Sequence, residues 1–241
     1  MNETKRILQL IKKASQKNSP FSLVRIGDGE NLVLAHGSVW PVKRVLREPW
    51  GRSARKGRKG IDLPNFELRN RMVTSIKKAD VVGILPKHGD MINAPKHVKR
   101  ELTDKVFRHY NIQPKLTCSA TINRELMRNH DFWEILRRKK ILIIYGNAEN
   151  LKTTLQNNYG LKVNLAIPFS HYNQINRTLK LVLRNKNKFD IALVSCGVNS
   201  VILSQRISEL TGKIAIDFGK ASKFILTEDH NQKATNPTKR F

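Results

Sequence analysis

Short apolar runs alternate with amphipathic stretches along the whole chain. The apolar runs predict strands, and the stretches with apolar residues three and four positions apart predict helices. The predicted strands are 21–26, 81–85, 115–118, 140–145, 161–167, 189–196 and 213–218. Strands that alternate with helices in this way are typical of a parallel sheet covered by helices on both faces. The sequence therefore predicts a single-domain, Rossmann-like α/β fold.

The pattern also divides the chain into three parts. Residues 1–20 form a basic amphipathic helix, 21–226 the domain, and 227–241 a polar tail. We expect the helix to pack on the domain, and the alternative is peripheral contact with an anionic membrane. Within the domain, residues 41–60 carry eight Lys or Arg between glycines. Glycines disfavour a helix, so this segment is predicted to be a loop that closes over the site.

Charge is the unusual feature of the composition. The 241 residues include 45 Lys or Arg and 19 Asp or Glu, for a formal net charge of +26. Such a charge attracts anionic polymers, anionic lipids and nucleotide phosphates, and it does not indicate which of them binds. No stretch approaches the length of a membrane span, and the first residues lack the apolar core of a secretory signal. Two cysteines without metal-type spacing fit a reducing compartment, so we expect a cytoplasmic protein.

The candidate site begins at FSLVRIGDGE, residues 21–30. Gly27 ends the predicted strand, and Asp28 and Glu30 follow on a turn that Gly29 makes flexible. Open α/β sheets bind ligands at the carboxyl ends of their strands. Two carboxylates there are suited to Mg²⁺ or Mn²⁺. The alternative is an ordinary turn in which Glu30 favours the start of a helix.

Three later positions have candidate chemistry at predicted strand ends. The turn Cys196-Gly197-Val198-Asn199-Ser200 leads into a helix whose free N–H groups suit an anion such as a pyrophosphate. Asp217 could bind a sugar hydroxyl or cap a turn. His171 is the best-placed histidine for proton transfer, and the alternative is a structural role, which is the more common one for a lone histidine at the start of a helix.

The chain resembles the bacterial glycosyltransferases of the GT-D fold. The resemblance rests on RIGDGE at 25–30, with its D-x-E motif, on LVSCGVNS at 193–200, and on the closing DFG at 217–219. It extends over about residues 20–224. It implies metal-dependent transfer of a sugar from a nucleotide sugar, typically UDP-linked, to an acceptor. The acceptor is expected to be a cell-surface glycan or glycoprotein, with an anionic one suggested by the charge.

The resemblance also assigns roles to individual residues. Asp28 and Glu30 hold Mn²⁺ or Mg²⁺, and the glycines beside them together with the 196–200 turn bind the nucleotide sugar. Arg25 and Arg124 add positive charge, and His171 is one candidate base. Lys220 stands where the family often has histidine, and it could contact a phosphate. A basic nucleic-acid-binding protein or metal nuclease is the alternative function, which the absence of recognised nucleic-acid motifs disfavours.

Overall fold

The computed structural model describes residues 2–90 and 92–227. The strands are β1 (Phe21–Ile26), β2 (Val81–Ile84), β3 (Thr117–Ser119), β4 (Lys140–Tyr145), β5 (Lys162–Pro168), β6 (Ile191–Ser195) and β7 (Ile214–Asp217). The helices are α1 (Glu3–Lys17), α2 (Asp28–Ala35), α3 (Val42–Arg47), α4 (Pro49–Arg55), α5 (Phe66–Lys78), α6 (Arg100–His109), α7 (Ile122–Met127), α8 (His130–Arg137), α9 (Ala148–Tyr159), α10 (Ile175–Arg184) and α11 (Asn199–Thr211). Residues 221–227 form a further helical segment.

One seven-stranded sheet organises these elements. Its strand order is β3-β2-β1-β7-β6-β4-β5, and every neighbouring pair is parallel. This confirms the predicted fold class. The apolar runs at 81–85, 141–145 and 191–196 predict strands buried inside the sheet, and β2, β4 and β6 do lie inside it, with apolar residues packed on both faces.

Each face of the sheet has its own hydrophobic core. Leu142 and Ile144 of β4 point into a core built with α2 to α6, α10 and α11, which we call the α11 face. Ile141 and Ile143 point the other way, into a core built with α1, α7, α8, α9 and segment 221–227, which we call the α7 face. Helix α1 therefore packs on the domain, with Ile11 fully buried.

Two segments differ from their predicted structure. The basic stretch 41–60 is not a loop throughout, because it contains α3 and α4. Gly51 does not break α4, since the helix packs so closely on the Val45 carbonyl, 2.0 Å from where a Cβ would lie, that only glycine fits. The sequence over 121–136 predicts one helix, but the structure has two, since the side chain of Asn129 accepts the Asp131 N–H and starts α8.

Other boundaries shift by a few residues. Asp28 and Glu30 lie in the first turn of α2 rather than ahead of it. The helical spacing of Leu203, Ile207 and Leu210 predicts that all three lie on one side of the helix, but Leu210 is 37% exposed. Beyond Thr227, the predicted polar tail lies outside the described residues. Within the described ranges, no helix is both long and apolar enough to span a membrane.

Candidate active site

A cleft of about 1030 Å³ opens at the carboxyl edge of the sheet. Its walls are the segments that follow β1, β2, β3, β6 and β7, together with Tyr145 at the end of β4. On one side of β1 lie the next strands in the chain, β2 and then β3. On its other side lies β7, followed by the rest of the second half of the sheet, β6, β4 and β5. Such a reversal of strand order leaves a crevice where open α/β sheets bind ligands.

The first wall is the start of α2. Gly27 has extended backbone angles and donates its N–H to Glu30 Oε2 at 2.9 Å, so the Glu30 side chain caps its own helix. Asn31 is fully buried and donates to the carbonyl oxygens of Val98 and Lys99, which fixes α2 beside α6. These bonds hold Asp28 and Glu30 on the rim of the cleft.

The electrostatics of this turn are unfavourable for two anions. Burial, followed by repulsion from Asp217 and from Asp28, raises the pKa of Glu30 from 4.5 to about 7. The Asp28 carboxylate has no hydrogen-bond or ion-pair partner in the part of the chain that the structure describes. A divalent cation would relieve this repulsion, so the donor set fits one.

Asp28 and Glu30 by themselves supply only part of a cation's coordination shell. Among residues 2–90 and 92–227, no group of three or more His, Cys, Asp or Glu is arranged to hold a metal. Magnesium typically takes one or two carboxylates and completes its shell with water and substrate phosphates. Asp28 and Glu30 match that pattern, in which a phosphate ligand is needed for tight binding.

Arg25 joins three strand ends behind the carboxylates. Its guanidinium donates to the carbonyl and carboxylate oxygens of Asp217 and to the carbonyl oxygen of Ala120, at 2.9–3.0 Å, and to Asn123 Oδ1 at 3.1 Å. Burial raises the pKa of Asp217, and the ion pair with Arg25 opposes this rise. Gly219 has a φ of +50°, and a Cβ there would lie 1.7 Å from Arg25 Nη2. Arg25 and Asp217 therefore hold the end of β7 against β1.

The opposite wall is the turn between β6 and α11. In the described residues, the N–H groups of Gly197, Val198 and Asn199 have no hydrogen-bond partner, and Gly197 and Val198 line the cleft. Consecutive free N–H groups at a helix N-terminus favour an anion. Ser200 Oγ accepts the Cys196 N–H at 2.8 Å, which fixes the shape of the turn. Cys196 itself is buried, and burial raises the pKa of its thiol, so it supplies no thiolate.

The segment after α4 is fixed to this turn. The Asn199 side chain donates to the Gly60 carbonyl oxygen at 3.0 Å, and Tyr172 donates its backbone N–H to the same oxygen at 2.9 Å. Lys59 is thereby placed on the cleft wall beside Gly197. The basic stretch therefore places Lys59 next to the free N–H groups of this turn, and most of the stretch is helical.

Trp50 of α4 lies over the start of α2. A Cβ on Gly29 would come within 2.8 Å of its indole ring, so glycine at that position makes room for the ring. Trp50 lines the cleft and gives it one flat apolar surface next to the carboxylates.

His171 lies away from these groups. Its Nε2 is 3.2 Å from Asp62 Oδ2 and its Nδ1 accepts the Asn173 N–H, so it caps a short 3₁₀ turn. It is not among the residues that line the cleft. Three other predicted site residues are buried behind the cleft surface and shape it, namely Asn199, Ser200 and Asp217. Gly27 and Gly29, in contrast, line the cleft directly.

A second group of cations, on the α7 face, completes the cleft. Arg124, Lys220 and Lys223 all line it. Arg124 lies 5.5 Å from the centre of the Phe224 ring, which connects α7 to segment 221–227. The structure thus brings Arg124 and Lys220 to the cleft, on the opposite face from Lys59.

A family profile for the GT-D fold-like domain matches residues 2–225. The chain belongs to the GT-D-like family. The match confirms the resemblance seen in the sequence and, with it, the expected enzyme class, a glycosyltransferase. No curated protein matches the chain.

Solved structures with the same fold support the assignment. The new glycosyltransferase (DUF1792) from Streptococcus sanguinis aligns with a TM-score of 0.63 and 18% identity, over 96% of this chain and 84% of its own. A domain of unknown function 1792 described as having a distinct glycosyltransferase fold aligns with a TM-score of 0.56 and 19% identity, over 95% and 80%. At these identities the comparison establishes the fold.

Several residues of the GT-D-like cleft were not singled out from the sequence. Asn123, Tyr145 and Lys223 are examples. Tyr145 could have been found, since it ends a predicted buried strand at the ligand-binding edge. Lys223 had no comparable signal, because its position depends on how segment 221–227 folds back along the α7 face.

Proposed function

We propose that this GT-D-like protein transfers a sugar from a nucleotide sugar, with UDP as the first candidate nucleotide, to an acceptor hydroxyl. The observation that carries the proposal is the pairing of two walls in one cleft. Asp28, which has no partner among the described residues, and Glu30 lie on one wall. The free N–H groups of Gly197 and Val198, with Lys59, lie on the other. N–H donors, a lysine and a metal held by carboxylates are each suited to bind a diphosphate.

The residues of the chain then have separate tasks. The N–H groups of the 197–199 turn and Lys59 bind the phosphates and stabilise charge that develops on the leaving diphosphate. Asp28 and Glu30 would hold Mn²⁺ or Mg²⁺, which acts as a Lewis acid when bound. Arg25 holds the strand ends in register and places Gly219 and Lys220 at the cleft. Trp50 offers a flat surface for a sugar or base.

Calorimetry on UDP tests this proposal directly. We expect UDP to bind the wild-type protein with Mn²⁺ present and about tenfold more weakly without it, because the cation bridges carboxylates and phosphates. Asp28→Asn should lose the enhancement by Mn²⁺. The matched control is Asp131→Asn, which removes an exposed carboxylate of α8 and should bind like the wild type.

Release of free nucleotide from UDP-, GDP- and dTDP-sugars tests the chemistry without a known acceptor. We expect slow hydrolysis of one donor by the wild type and none by Glu30→Gln. Equal UDP affinity in Asp28→Asn and wild type with Mn²⁺ would remove the metal role, and no binding or release with any donor would refute the proposed function.

A further inference from the structure

Apart from Arg25, which is paired with Asp217, the cationic residues of the cleft lie on two opposite faces of the sheet. Lys59 and the 197–199 turn belong to the α11 face, because Ile61 and Val198 beside them pack in that core. Arg124, Lys220 and Lys223 belong to the α7 face, where Ile122 and Ala221 are buried. All of these cations line the same cleft.

The group on the α7 face is held in place by buried contacts. Asn123 donates to the Phe218 carbonyl oxygen at 2.9 Å, which joins α7 to the end of β7. Ser195 and Ser222 share a hydrogen bond of 2.7 Å between buried hydroxyl groups, which joins the end of β6 to segment 221–227. Lys220 directly precedes this segment and lies three positions before Lys223, so the two side chains can point to the same side.

These three side chains have no anion to neutralise them. Within the described ranges, Arg124, Lys220 and Lys223 have no ion pair, whereas Arg25 is paired with Asp217. Three unpaired cations that line one cleft favour the binding of an anion from outside. Arginine and lysine together are suited to a phosphate.

We propose that Arg124, Lys220 and Lys223 form an acceptor subsite that binds a phosphate group of the acceptor, separate from the subsite for the donor diphosphate. The inference rests on the proposed function, since it assigns the diphosphate to Lys59 and the 197–199 turn. The acceptor is then a phosphate-bearing glycan or polymer, or a lipid with a phosphate headgroup. Its hydroxyl would be presented to the donor between the two groups of cations.

A binding experiment with and without UDP tests the separation of the two subsites. The probe is a short soluble oligo(glycerol phosphate), with polyglycerol as its uncharged counterpart, at physiological salt. We expect the oligomer, and not polyglycerol, to bind wild-type protein that is saturated with UDP and Mn²⁺. Displacement of the oligomer by UDP would overturn the proposal, because it would mean one shared anion site.

Two double variants distinguish binding at this site from attraction to the positive charge of the whole protein. Lys220→Ala with Lys223→Ala should weaken oligomer binding by about tenfold or more, since two of the three cations that would contact the phosphate are lost. The control, Lys186→Ala with Lys188→Ala, removes the same charge from exposed lysines ahead of β6, at the other end of the sheet. Equal losses in the two double variants would overturn the proposal.

Two further arms identify the source of the phosphate and keep the two proposals distinct. Binding to phosphatidylglycerol vesicles that depends on Lys220 and Lys223 would identify a lipid headgroup as the source of the phosphate. Binding of the soluble oligomer alone would identify a polymer as the source. Oligomer binding that depends on these lysines in a protein that fails to bind UDP would support the subsite while the donor proposal fails. UDP binding without binding of either phosphate probe would overturn the subsite alone.

Discussion

Replacing Glu30 by Gln should remove a loss of stability that the wild-type protein undergoes as pH rises in the absence of divalent cations. Burial and the carboxylates of Asp217 and Asp28 raise the pKa of Glu30 from 4.5 to about 7. Between these values the native protein keeps a proton that the unfolded chain has released. The free energy of unfolding therefore falls as pH rises from about 4.5 to about 7 and stays low above that range.

The magnitude follows from the size of the pKa change. A rise from 4.5 to about 7 corresponds to about 3 kcal/mol, a large part of the stability of a typical domain. Gln keeps the side-chain oxygen that accepts the Gly27 N–H but cannot ionise. We therefore expect wild type and Glu30→Gln to have similar stability near pH 5, and the variant to be more stable by about 2–3 kcal/mol near pH 8.

Urea unfolding with EDTA, at intervals between about pH 5 and about pH 8, measures this difference directly. Glu125→Gln is the control, because it removes an exposed carboxylate of α7. Taking the difference between proteins cancels other titrating groups, including the buried His36, whose pKa is lowered by burial. A wild-type-minus-variant difference that does not change with pH would refute the reasoning. Mn²⁺ with UDP should raise the free energy of unfolding of the wild type near pH 8 and should not raise that of Glu30→Gln.

Two substitutions at other positions test the architecture of the cleft. Gly219→Ala would place a Cβ 1.7 Å from the Arg25 guanidinium and break its buried ion pair, so urea unfolding should show a loss of about 3 kcal/mol or more. Gly212→Ala, at a φ of +70° with open space around it, should lose only about 1–2 kcal/mol, and equal losses would contradict this account. Trp50 is the tryptophan that lines the cleft, so UDP with Mn²⁺ should change the protein's fluorescence in wild type and in Trp133→Phe but not in Trp50→Phe. A response that persists in Trp50→Phe would place the ligand elsewhere.

The sequence by itself determined the layers of the fold and one wall of the site. Strands such as β4 and β6 are buried on both faces, so their apolar runs predict parallel strands without knowledge of their neighbours. Asp28 and Glu30 follow a strand directly, and the carboxyl end of a parallel strand lies at the ligand-binding edge whatever the strand order. The α3–α4 region was predicted wrongly, because the close packing of Gly51 on the Val45 carbonyl is a tertiary contact that overrides the glycine's low helix propensity.

Only the tertiary structure decided which residues from distant parts of the chain share the cleft. Arg25 and Asp217 are 192 positions apart, and their pairing depends on β1 lying beside β7 in the sheet. That strand order also divides the cations into two groups, because Lys59 reaches the cleft from the α11 face and Lys223 from the α7 face. Periodicity reports which side of an element is buried, and it contains no information about which elements become neighbours. The positions of His171 outside the cleft and of Lys223 inside it therefore depend on long-range packing that local patterns do not encode.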